Sequence, residues 1–249
     1  SAVVTCPFFA GRVAGPTTLA LSPAVFQMQG GMVLKSLAEA RKLLADRGAT
    51  QVPQFDFQEA LIYFDSKQWD QAIAAFKKYI STYPQQREMV RLCRSILSSI
   101  YVEKGDMKQG EKILEQMFAE DPEDPSVNND LGYLYADQGK KLEQAEKMIR
   151  KAIKAQPENA AYLDSLGWVL FKLNRVSEAV PPLEKAASKP EGQDATIFDH
   201  LGDCYDRLDQ SEKAVQSWKK ALEFAKKSAK HNQKVIQKIE EKLKKKSDE

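Results

Sequence analysis

The 249-residue sequence has little with which to perform chemistry. It holds two histidines, His200 and His231, and three cysteines, Cys6, Cys93 and Cys204. The cysteines are odd in number and widely separated, so they make neither a metal spacing nor a disulfide framework. A reduced compartment is the mild inference. There is no phosphate-binding glycine loop, no zinc motif and no nucleophile elbow. His200 and Cys204 share a helical face at i, i+4, half of a metal site whose other half is not evident, so no cofactor and no metal are expected. A net charge of +2 leaves bulk charge arguing for neither nucleic acid nor a membrane surface. No apolar run approaches the roughly 20 residues of a spanning helix.

What the sequence has instead is a period. Leu97, Leu131, Leu166 and Leu201 lie 34, 35 and 35 residues apart. From Leu166-Gly167 the pattern runs to Ala179, Leu183 and Ala186. From Leu201-Gly202 it runs through Tyr205 to Ala214, Trp218 and Ala221. A third copy starts at Leu131-Gly132, passes Tyr135, takes one extra residue near Lys140-Lys141, and reaches Ala145, Ile149 and Ala152. Small residues at fixed offsets let two helices approach closely, and the large ones fill the space between. No single unit of this kind buries its apolar face alone, so units must stack.

This pattern resembles the tetratricopeptide repeat (TPR), a helix-turn-helix unit of about 34 residues. The third and fourth copies look most like TPR proteins of bacterial type. The resemblance implies an all-α, right-handed superhelical solenoid of five units at about 53–84, 91–124, 125–158, 160–193 and 195–228. The first two are degenerate: Glu59 stands at the leucine position, Ser98 replaces a glycine and Gly110 an alanine. Gly110 keeps a close approach while weakening its helix by about 1 kcal/mol relative to Ala. Pro181-Pro182 falls inside a second helix, where a late start or a bend is expected.

Outside the repeats, residues 1–31 read as an extended, non-helical arm, apolar and punctuated by Pro and Gly, with self-association through it an option. Residues 32–52 hold a capping helix and linker, with Val33, Leu37, Ala40 and Leu44 at helical spacing. Residues 229–249 form a C-terminal capping helix on Val235, Ile236, Ile239 and Leu243, with a basic, solvated end. The chain starts at Ser1 and shows no basic region before an apolar core, so an intact signal peptide is not read. The expected location is cytoplasmic, or the bacterial periplasm if an upstream signal has been removed.

Sorting charge by helix shows a segregation hidden in the total. Segments 125–139, 158–173 and 194–207, the first helices, carry −2, −1 and −3. Segments 140–157, 174–189 and 208–230, the second helices, carry +4, +1 and +3. In the TPR family the first helices line a concave, peptide-binding groove. The groove positions fall on Asn129, Tyr133, Asp137, Asp164, Trp168, Phe171, Asp199, Asp203 and Asp206. Acids beside aromatics suit a protein or peptide with basic and apolar side chains, through ion pairing and cation–π contact. The aspartates are expected to face the groove, because a buried unpaired carboxylate is costly. Asn129, Asp130, Tyr133, Asp164 and Asp199 would repel the C-terminal carboxylate that one TPR subclass grips. The function expected is a non-catalytic interaction scaffold or adaptor, not an enzyme, possible as an assembly factor. The alternative, nucleic-acid or anionic-surface binding through the Lys-rich second helices and C-terminal helix, is the weaker reading: their interleaved glutamates look like ordinary i, i+4 pairs.

Overall fold

The computed structural model describes residues 23–46, 51–227 and 233–247. Among them are twelve α-helices and no strand. Helix α1 (Pro23–Ala45) comes first. Five antiparallel pairs follow: α2 (Pro53–Asp65) with α3 (Trp69–Thr82), α4 (Arg87–Glu103) with α5 (Met107–Glu120), α6 (Pro125–Asp137) with α7 (Leu142–Ala155), α8 (Ala160–Lys172) with α9 (Val176–Ala187), and α10 (Ala195–Arg207) with α11 (Ser211–Lys227). Helix α12 (Gln233–Ser247) ends the described chain. Two compact units result, Thr18–Ile113 and one built on Leu114–Glu249, the boundary falling within α5.

In the second unit each pair closes on a glycine of its first helix. A Cβ added at Gly167 would lie 2.3 Å from Leu183 Cγ, and one at Gly202 would lie 2.3 Å from the Trp218 ring. At Gly132 the nearest atom, Ile149 Cγ1, would be 2.9 Å away. The facing Ala145, Ala179 and Ala214 are fully buried. In the first unit, α4 and α5 invert this arrangement. Ser98 occupies the glycine position and donates its hydroxyl to Gly110 O at 2.9 Å, while Gly110 gives up its side chain to make room. A Cβ at Gly110 would meet Val102 Cγ2 at 2.7 Å, so alanine's better helix propensity is not available there.

Local signals set the helix ends. Asp124, Asn159 and Asp194 cap α6, α8 and α10 with side-chain oxygens that accept backbone N–H groups of the first turn. Lys67, Gly105, Gly139, Asn174 and Asp209 take left-handed φ in the turns between paired helices. Lys141 is also left-handed, at φ 47°, which is how the third pair absorbs its extra residue.

Three details differ from the pattern. Helix α1 begins at Pro23, not Met32: proline suits a first turn, and Gly30-Gly31 lowers helix propensity without ending the helix. The remaining arm, 1–22, lies outside the described residues. Helix α4 begins at Arg87, ahead of 91. Helix α9 starts on time at Val176 despite Pro181 and Pro182. The carbonyls deprived of their donors belong to Ser177 and Glu178, both exposed, where water can serve them.

Glu59, out of place as a leucine substitute, is explained by α1. Arg41 pairs with Asp56 and Glu59, each at 2.7 Å, and so ties α1 to α2. The neighbouring Tyr83 hydroxyl donates to Asp56, and burial with that carboxylate pushes its pKa up to about 12.

Candidate functional site

In the second unit α6, α8 and α10 present corresponding residues in register. Asn129, Asp164 and Asp199 repeat at one position, and Tyr133, Trp168 and Asp203 at the next turn. Asn129, Tyr133, Asp164, Trp168 and Asp199 are buried, whereas Asp137, Phe171, Asp203 and Asp206 are half-buried. The expectation of exposed groove aspartates thus fails for Asp164 and Asp199. The physical reason is that neither is unpaired.

Asp164 is wholly buried and accepts from His200 Nδ1 at 2.8 Å. Burial works against the imidazolium, but Asp164 first, then Asp199 and Asp203, outweigh it and raise the His200 pKa above its ordinary value. The His200 ring stacks on Trp168, centroids 4.1 Å apart and planes 12° from parallel. Trp168 stacks in turn with Phe171 at 5.3 Å. Both aromatics already carry a cation: Lys172 Nζ is 4.9 Å from the Trp168 centroid, and the Arg207 guanidinium 5.2 Å from that of Phe171. Lys172 also donates to Asp137 O at 3.1 Å.

On α10 the acids are held by α12. Lys242 Nζ donates to Asp199 Oδ1 at 2.6 Å and to Asp203 Oδ1 at 2.5 Å. Lys238 reaches Asp199 Oδ2 at 3.5 Å. Lys246 lies 2.8 Å from Asp206 Oδ1, an ion pair whose geometry falls short of a hydrogen bond. Asp203 also accepts from Trp218 Nε1 at 3.1 Å. Desolvation and the Asp199 charge raise the Asp203 pKa against the pull of Lys242. The pKa of Lys242 is raised too: desolvation opposes this, and the two aspartates outweigh it. The C-terminal end is therefore not simply solvated. Lys238, Lys242 and Lys246 form one stripe at i, i+4, i+8, a spacing visible in the sequence, though not its destination.

Some polar capacity on these helices has no partner. Asn129 Oδ1, Asp164 Oδ2 and Trp168 Nε1 are buried without a hydrogen-bond partner. Native interiors hold few such atoms.

The remaining sequence candidates have structural duties. His200 is committed to Asp164, and burial pushes the Cys204 thiol up to about 12. Among the described residues no group of three or more His, Cys, Asp or Glu is arranged to hold a metal ion. On the second helices Arg150 pairs with Glu146, and Lys227 with Glu223. Lys151 and Lys185 reach back across the turns to Glu123 and Glu158. Tyr135 and Tyr205 fill space and also donate to Glu115 at 2.7 Å and to Glu184 at 2.6 Å, on the preceding second helices. No described helix is long and apolar enough to cross a membrane.

Family models described as tetratricopeptide repeat match residues 56–85, 101–169 and 195–228. No curated protein matches the sequence. Among solved structures, a tetratricopeptide repeat protein from Parabacteroides merdae is similar at 16% identity, with 90% of this chain and 84% of that one covered and a TM-score of 0.62. A thermophilic TPR protein of Thermus thermophilus is similar at 18% identity, with coverage of 75% and 98% and a TM-score of 0.60. At these identities the likeness speaks for the fold.

Proposed function

This chain belongs to the tetratricopeptide repeat family, whose members generally serve as protein-interaction scaffolds, and we propose that it binds a partner protein along α6 and α8. Of the row Asn129, Tyr133, Asp137, Asp164, Trp168 and Phe171, the contact surface in this reading is Asp137 and Phe171, the two that are not buried. Asp199, Asp203 and Asp206 would be reachable only where α12 does not hold them. The scaffold has no chemistry of its own and no cofactor in this reading.

The observation that carries the proposal is the surface that α6 and α8 leave open at Asp137 and Phe171, both half-buried. Asp137 and the half-buried edge of Phe171 suit a segment with basic and apolar side chains. No observation favours the nucleic-acid alternative, and on the second helices Arg150, Lys151, Lys185 and Lys227 are paired to nearby glutamates.

The test is a native-lysate pull-down read by mass spectrometry, comparing wild type with Asp137→Lys/Phe171→Ala. Both residues are half-buried, so circular dichroism should report an unchanged fold. A partner kept by the wild type and lost by the variant supports the site. Identical partners on both would remove it from this face. Reversing Asp203 and Asp206 would be a poorer probe, since it also breaks their contacts with α12.

A further inference from the structure

We propose that the acidic face of α10 is a second docking site, for a lysine-striped amphipathic helix of a partner protein, which α12 occupies in cis. Two observations support this. The charges match in register: Lys238, Lys242 and Lys246, one turn apart, meet Asp199, Asp203 and Asp206. The face also requires a cation. Asp164, Asp199 and Asp203 all act on His200, and without Lys242 only Lys238, 3.5 Å from Asp199, would stand beside that imidazole against three carboxylates.

The hold of α12 is also modest in apolar terms. It buries only Ile236 and Ile239, whereas α11 buries Ala214, Trp218, Ala221 and Ala225. A helix held by few apolar anchors and a row of ion pairs opens at less cost than one packed into a core. The partner therefore competes with α12, and its apparent affinity falls in proportion to the fraction of chains with α12 undocked. The occupant is recognised by lysines at i, i+4, i+8 and by an aliphatic residue three before the central lysine, as Ile239 precedes Lys242.

The probe is a labelled peptide copying residues 233–247. It is added to full-length wild type and to a full-length Ile236→Asp/Ile239→Asp variant, in which α12 loses its apolar anchors. The variant should bind the peptide at least about tenfold more tightly than wild type. Binding should weaken with salt, and adding Asp199→Lys/Asp203→Lys to the variant should abolish it. Equal binding to both proteins, or none to the variant, overturns the proposal. So does a wild-type dimer in light scattering, which would assign the face to a second copy of the chain. Should the variant not fold, hydrogen exchange of the wild type decides: amides of α12 exchanging before those of α10 and α11 support the proposal, and joint opening overturns it. Asp137 and Phe171 take no part here, so failure of this site leaves the α6–α8 reading intact.

Discussion

Replacing Gly167 with alanine sets two effects of opposite sign against each other. On an exposed helix the change would stabilise by about 1 kcal/mol. Here the added methyl would stand 2.3 Å from Leu183 Cγ and 2.8 Å from each of its two Cδ atoms. Leu183 is fully buried between helices and has nowhere to retreat. Overpacking of this kind costs about 1–3 kcal/mol, so the clash should outweigh the propensity gain and the variant should be destabilised. Gly202→Ala should behave alike, because the Trp218 ring stands equally close. Gly132→Ala, with its nearest contact at 2.9 Å, should suffer least. Leu183→Ala alone should cost about 2–5 kcal/mol through its cavity. In Gly167→Ala/Leu183→Ala the new methyl occupies part of that cavity, so the double variant should be more stable than the two single losses added together. Urea unfolding followed by circular dichroism reads these differences. Because repeat arrays can open unit by unit, exchange of α8 and α9 amides should be followed as well. A Gly167→Ala midpoint at or above wild type would refute the close-approach account, as would strict additivity in the double variant.

Two further outcomes follow from other contacts. His200 has its pKa raised on folding, so its pairing with Asp164 contributes fully below the unfolded value of about 6.5 and is lost as pH rises through the folded value. The urea midpoint of wild type should fall as pH rises above about 6.5 relative to His200→Gln, and parallel profiles there would contradict the assignment. Asn159 accepts from Ala161 N at 3.0 Å and Tyr162 N at 3.3 Å, so Asn159→Ala should cost about 1 kcal/mol and Asn159→Asp should restore most of it. A thermal midpoint unmoved by alanine would deny the cap its role.

The legibility of the chain divides along the range of the interactions. Gly167, Leu183 and their counterparts meet within one helix pair, at offsets of fewer than twenty residues, so their spacing is a local signal repeated along the sequence. The inversion at Ser98 and Gly110 was visible as two substitutions, but not as one compensating contact. The caps Asp124, Asn159 and Asp194 were within reach too, as each stands just before a helix start at a 35-residue interval. Pro181-Pro182 promised a disturbance because the pattern does not tell which carbonyls face water.

The candidate site is where sequence and tertiary structure part. The residues of the sequence determined by themselves a stack of helix pairs, since only close-packed repeats reconcile those glycines, alanines and large apolar residues. They also determined that acids gather on first helices and lysines on second ones. Which acids are still available was decided only by the tertiary structure. Lys242 lies 43 residues beyond Asp199, and His200 lies 36 beyond Asp164. A charge sum by helix treats such groups as independent, but packing makes each the other's counter-ion. A cation from a distant turn of the chain offsets part of the cost of burying a carboxylate, and bringing it there requires the fold.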